Sequence, residues 1–122
     1  MKARRPLECV CFFSTYLPTK EERTYVFLSL DVFSDFVFNT GVETNDDVAN
    51  IFKHIYLLTE HPNFKKYIDR GFMLVMDKHK ELAPNINTII EPLNGKLIFD
   101  GQYVNKIMTP VIKEVLRKLP NQ

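Results

Sequence analysis

The sequence predicts an α/β domain built on a mixed β-sheet, with three antiparallel strands first and parallel strands joined through crossover helices afterwards. Three observations predict it. Runs of β-formers with short connections fill residues 8–38; the apolar period changes from strand to helix near Val48; and a compact apolar run, Phe72 to Met76, follows the helical stretch. A strand, a helix and a buried strand in that order most often form a parallel crossover.

Glu8 to Leu17 is apolar, aromatic and β-branched and is closed by Pro18, which reads as a first strand. The polar stretch Thr19 to Arg23 reads as a hairpin connection. Thr24 to Leu30 is nearly continuous in β-formers, as in a central strand covered on both faces. Turn formers at 31–35 precede a short third strand, Phe36 to Phe38. Thr44 then offers a helix cap, with Asp46 and Asp47 expected in the first turn. Val48, Ile51, Phe52 and Ile55 recur at i, i+3, i+4, i+7, the stripe of an amphipathic helix. His61-Pro62 interrupts it, Phe64 to Arg70 adds further turns, and Gly71 is the expected left-handed cap.

Phe72 to Met76 is a buried strand ending at Asp77. Lys78 to Ala83 reads as a short helical turn stopped at Pro84, and Asn87 to Glu91 as a fifth strand. Pro92 to Gly95 reads as a turn, with Lys96 to Phe99 either strand or loop. Gly101 to Leu119 is helical in pattern, split at Thr109-Pro110, with Val111, Ile112, Val115, Leu116 and Leu119 on its apolar face. This order of elements is the outline of a ribonuclease-H-like fold, which other mixed-sheet folds share in part.

Composition narrows the classes. With 122 residues, 45% hydrophobic and 25% charged, the chain is read as one globular domain over 1–122. Its longest apolar runs, Cys9 to Phe13 and Phe72 to Met76, fall far short of the about 20 residues that span a bilayer, so no membrane role is expected. The start, Met1-Lys2-Ala3-Arg4-Arg5-Pro6, has no secretory apolar region. Net charge is only +1, without the basic excess usual in a dedicated nucleic-acid domain. Cys9 and Cys11, two apart on a strand, are poorly placed for a disulfide and read as buried thiols of a cytoplasmic protein.

Local sequence goes further. Ser14-Thr15-Tyr16-Leu17-Pro18-Thr19-Lys20-Glu21, a gap, then Tyr25-Val26-Phe27-Leu28-Ser29-Leu30-Asp31-Val32-Phe33-Ser34 resembles the opening of integrase-core (DDE-type) transposases and retroviral integrase catalytic domains. The resemblance extends over residues 7–119, with the specific match at 14–35. It implies a ribonuclease-H-like fold and three carboxylates that hold two divalent metals, Mg²⁺ or Mn²⁺, for in-line displacement at phosphorus. Carried over position by position, the first acid falls on Phe13, the second on Asp77 and the helix glutamate near Asn105. Only Asp77 is acidic, and a phenyl ring cannot ligate Mg²⁺. The resemblance therefore implies a degenerate core without the ordinary mechanism and without a metal cofactor, unless Asp77 and two of Asp31, Asp35, Glu91 and Asp100 converge as an active nuclease would need. Asp31 and Asp35 read more simply as solvent-facing turn residues at the wrong end of the sheet.

Other patterns carry less. His54 and His61 could share a helix face, but no third ligand matches them, and packing explains them better. Asp77-Lys78-His79 sets a carboxylate and an imidazole at a strand end, a common active-site location. Cys-x-Cys has no second pair for zinc, no Gly-x-Ser-x-Gly elbow is present, and the glycines form no phosphate loop. Lys65, Lys66, Arg70, Lys78 and Lys80 form one basic group, and Lys106, Lys113 and Arg117 line a face of the final helices; both are candidate phosphate contacts, with solvated surface the alternative.

The leading expectation is thus a catalytically inactive integrase-core-like domain acting through DNA or protein contacts. Short for that core and with no helix-turn-helix ahead of it, the chain would be a truncated element or one module of a longer one. The competing expectation is a small α/β interaction module, alone or as a homodimer, unrelated to nucleic acid.

Overall fold

A computed structural model describes residues 3–18 and 23–118. Five strands and four helices run in the order β1 (Cys9–Pro18), β2 (Arg23–Asp31), β3 (Phe36–Glu43), α1 (Val48–Thr59), α2 (Pro62–Tyr67), β4 (Phe72–Met76), α3 (Ala83–Ile90), β5 (Gly95–Phe99) and α4 (Gly101–Lys118). They form one sheet of order β3-β2-β1-β4-β5. The β1–β2 and β2–β3 pairs are antiparallel; β1–β4 and β4–β5 are parallel. This is the expected mixed α/β sheet. The middle of the hairpin connection, Thr19 to Glu22, and Leu119 lie outside the described residues. No helix among the described residues is long and apolar enough to cross a membrane.

Side-chain alternation divides the core in two. Val10 and Phe12 of β1, Phe27 of β2 and Leu74 and Met76 of β4 face Ile51, Ile55 and Leu58 of α1, Phe64 of α2 and Ile86 and Ile90 of α3. Cys9 and Cys11 with Leu28, Leu30 and Val75 face Val104 and Met108 of α4 on the other side. Each fully buried side chain of this size contributes about 1.5–3 kcal/mol. The two layers fix the sheet from both faces.

Several local expectations give way to packing. Asn87 to Glu91 is helix, because Pro84 occupies a first-turn position and so starts α3 where a stop was expected, after a 3-10 turn at Lys80–Leu82. Ile86 and Ile90, one turn apart, bury together, and that contact overrides their β-propensity. The fifth strand is instead Gly95–Phe99. β3 runs on to Glu43, well beyond Phe38. α4 is continuous through Pro110; Pro110 and Lys106, whose carbonyl loses its partner, are both exposed, so water can replace the bond.

At the start of α1 the cap position is Asp47 rather than Thr44, and neither aspartate enters the first turn. Asn45 organises the approach, its Oδ1 accepting from the Asp47 N–H at 3.0 Å and the Asn50 amide at 2.8 Å. The buried face of α1 is Ile51, His54, Ile55 and Leu58, which leaves Val48 exposed. His61 does not share a face with His54. It caps α2, its Nδ1 accepting from the Asn63 N–H at 3.0 Å. Gly71 has φ +76° but ψ −177°, so it reverses the chain without forming the left-handed helical cap.

β3 and α1 approach closely at Gly41. A Cβ there would fall 2.1 Å from His54 Cε1, and the imidazole is held by stacking on Phe27 at 4.5 Å between centroids. Gly41→Ala is expected to lower unfolding stability by about 1–3 kcal/mol in urea titration. Gly101→Ala is the control: its nearest atom is the Asp77 carbonyl oxygen at 3.8 Å, and stability should stay within about 0.5 kcal/mol of wild type.

Candidate functional site

The central position of β1 determines which residues meet. Odd-numbered residues from Cys9 to Phe13 face α4, and on β4 Met73 and Val75 do the same. The parallel register pairs Phe12 with Met76. One residue further on, Phe13 and Asp77 are neighbours on the α4 side, where β4 stops and β1 continues.

A third group completes this corner. The Lys78 ammonium lies 3.0 Å from Asp77 Oδ2 and 5.1 Å from the centroid of the Phe13 ring, and it donates to the Ser14 carbonyl. The Asp77 side chain is 11% exposed and that of Lys78 41%. Lys78, expected as one cation of a surface patch, is thus turned onto the corner. Asn105 lies one turn beyond Gly101 on α4 and is exposed. Its carbonyl accepts from Thr109 Oγ1 at 2.6 Å.

The remaining acids do not gather here. Asp100 is nearest, since its N–H bonds the Met76 carbonyl at 3.0 Å, but its Oδ1 accepts the Tyr103 N–H at 3.1 Å as an α4 cap. Glu91 precedes β5 at the far end, where Gly95 pairs with Phe72. Asp31 pairs with Val10, about 10 Å along β1 from Phe13. It is buried, contrary to the solvent-facing expectation, because its oxygens accept from the Leu7 N–H at 3.0 Å and the Ser34 hydroxyl at 2.7 Å. With exposed Asp35 it borders a separate cleft of about 580 Å³ that also includes Phe33, Phe36 and Tyr67.

His79 forms no strand-end pair with Asp77. Its backbone is left-handed at φ 74°, and its ring nitrogens face Asp46 and Glu81, each at 3.7 Å. Cys9 and Cys11 are buried thiols beneath α4, with Cys9 Sγ 3.6 Å from the Tyr103 hydroxyl. The Cys9 hydrogen bond and then burial push the Cys11 thiol above its usual range, which favours its neutral form.

The first basic group is not one patch. Lys65, Lys66 and Arg70 lie before Phe72 and Lys78 and Lys80 after Met76, so β4 separates them by about 16 Å. Lys65 pairs with Glu60 at 3.2 Å, and Lys66 lies 5.3 Å from the Tyr67 ring centroid. On α4, Lys106, Lys113 and Arg117 recur at i, i+7, i+11 on the exposed face opposite Val104 and Met108, and Arg117 also pairs with Glu114.

No protein-family model and no curated protein matches the chain in sequence. Solved structures do match in fold. The HTLV-2 integrase catalytic core domain in complex with magnesium superposes with a TM-score of 0.66 in its dimeric form, at 12% identity over 98% of this chain and 79% of that one. Its trimeric form gives 0.63 at 12% identity, over 96% and 76%. A chain of the simian T-cell lymphotropic virus intasome with the PP2A regulatory subunit B56 gamma gives 0.64 at 11% identity, over 99% of this chain and 45% of that one. The protein therefore has the ribonuclease-H-like fold. Within that class, its structural neighbours are retroviral integrase catalytic cores.

The residues present do not suit the divalent metals that such a core implies. The corner offers the Asp77 carboxylate, a phenyl ring and an ammonium, with the Asp100 carboxylate beside it engaged as the α4 cap, whereas divalent magnesium takes hard oxygen ligands in near-octahedral array. Among the described residues no three His, Cys, Asp or Glu side chains form a metal-binding group.

One polar cluster was not legible as such in the sequence. Buried His54 meets Glu43 Oε2 through Nε2 and the Asn39 amide through Nδ1, each at 2.7 Å, and Lys53 reaches Glu43 at 2.9 Å. Its members are spread over β3 and α1; the only sequence signal was a histidine at a core spacing. The cluster ties α1 to the edge strand. The Lys53 hydrogen bond, and next that of His54, hold the Glu43 carboxyl below the usual carboxylate range. A depressed folded value means stability that is complete above the unfolded value of about 4.3 and lost as pH falls through the folded one. Glu43→Gln should therefore be less stable than wild type near neutrality, with the gap closing in acid; a pH series of urea unfolding curves measures it.

Proposed function

We propose that this chain is a single integrase-core-like domain that has lost two-metal phosphoryl chemistry and retains a DNA-binding surface. The observation that carries the reading is the Phe13–Asp77–Lys78 corner: it falls where the resemblance expects two acids, and it holds one acid already paired to an ammonium. The HTLV-2 core is described in complex with magnesium; this chain lacks the matching ligands, so it neither cleaves nor joins DNA. Buried thiols suit a reducing cytoplasm.

For binding, α4 supplies the surface. Lys106, Lys113 and Arg117 lie on its outward stripe, spread over about 16 Å of helix, and can reach successive phosphates without reading sequence. A second reading, a self-associating interaction module, is favoured by one feature. Val48 and Tyr56 are 47% and 54% exposed on α1, with Phe52 between them at the same i, i+4 spacing.

The test is a labelled DNA duplex titrated at several salt concentrations, with and without Mg²⁺ or Mn²⁺. Binding should weaken with salt with a log–log slope of about −2 to −3, and each of Lys106→Ala, Lys113→Ala and Arg117→Ala should reduce that slope by about 1. No cleavage is expected with either metal. Metal-dependent cleavage abolished by Asp77→Asn would overturn the inactive assignment. Absence of binding at low salt, together with concentration-dependent dimerisation, would favour the second reading.

A further inference from the structure

The disagreement between this corner and a metal site has a specific form. Loss of a ligand would leave Asp77 with no counter-charge and the end of β4 open to solvent cations. Neither condition holds. Asp77 is paired at 3.0 Å, and the cation that pairs with it is the side chain of the next residue. The same ammonium donates to the Ser14 carbonyl on β1 and stands over the face of Phe13. A carboxylate, a carbonyl oxygen and the electron-rich face of an aromatic ring all favour positive charge.

We propose that Lys78 is a built-in monovalent cation that takes the place of a divalent metal at this corner and clasps β4 to β1, with Phe13 as its second wall. Its correspondence to the metal position rests on the integrase-core reading; the clasp rests on the contacts alone. Phe13 and Lys78 then act as a pair. An ammonium beside three clustered carboxylates would compete with their metals, and a phenyl ring beside a bare Asp77 would give the carboxylate nothing. Restoring an acid at 13 is accordingly not enough to regain a metal, because the ammonium remains as its counter-charge.

The test compares wild type, Phe13→Asp, Lys78→Ser and the Phe13→Asp/Lys78→Ser double variant for Mn²⁺ binding, read by the loss of the free Mn²⁺ electron paramagnetic resonance signal. The double variant should bind one Mn²⁺ at least about tenfold tighter than either single variant, and wild type should bind none that depends on Asp77. Phe13→Asp binding as tightly as the double variant, a folded double variant that binds no Mn²⁺, or Asp77-dependent binding by wild type would overturn the proposal.

Should the double variant not fold, thermal unfolding of Lys78→Met decides. Leaving Asp77 without its partner should lower Tm by roughly 3–6 °C. Adding Asp77→Asn should recover most of the loss, which a purely steric role for the lysine would not allow. An unchanged Tm in Lys78→Met overturns the clasp. None of these measurements contains DNA, so a failure of the DNA-binding reading leaves them untouched.

Discussion

β1 is hydrogen-bonded along both edges, antiparallel to β2 and parallel to β4, and covered on both faces by helices. A strand so enclosed has no freedom of register, since a one-residue slip would exchange the Val10–Phe12 face with the Cys9–Cys11 face. Everything at the candidate site follows from that constraint. With Phe12 fixed opposite Met76 as the last pair of the register, Phe13 and Asp77 come next to each other just beyond it. β5 in turn pairs in parallel beside β4, and Asp100, bonded to the Met76 carbonyl, starts α4 beside the same corner.

The corner and the core obey different energy scales. A buried leucine or phenylalanine contributes about 1.5–3 kcal/mol, and many such residues hold the sheet between its helices. The Lys78–Asp77 pair is partly exposed on the lysine side, so screening leaves it about 1 kcal/mol or less, with a similar contribution from the cation over Phe13. The fold therefore does not depend on the chemistry at the end of β4. That independence leaves the architecture free to tolerate the proposed replacement of a metal by a local contact. The Asn39–His54–Glu43 cluster has the opposite character. It sits inside the α1–β3 contact, where Gly41 leaves room for the imidazole, and its loss would disturb packing directly.

β1, β2 and β4 were legible in the sequence because they are apolar runs bounded by turn residues, and the short connections gave the antiparallel pairing of the first strands. That Phe13 and Asp77 would stand on neighbouring strands was legible because each sits at a fixed offset from a strand that could be recognised. The α3–β5 segment was not. Thr88-Ile89-Ile90 has β-branched residues in sequence, and only the burial of Ile86 and Ile90 against the sheet makes them helical. The role of Lys78 was equally hidden. In sequence it stands among lysines and reads as surface charge, and nothing short of the β1–β4 register shows that its ammonium can reach a carbonyl on another strand. His54 shows the same limit, since its partners Asn39 and Glu43 come from the part of β3 beyond Phe38, where the pattern of the sequence ends the strand.

The proposed replacement puts the Lys78 ammonium at the end of β4 where an integrase core would need a metal. A crystal grown or soaked with Mn²⁺ and measured near the manganese absorption edge tests it most directly. The expected result is no anomalous peak beside Asp77, with Lys78 Nζ between the Asp77 carboxylate, the Ser14 carbonyl and the Phe13 ring. A manganese peak at Asp77, with Lys78 displaced to solvent, would overturn the proposed replacement and restore metal chemistry to the site.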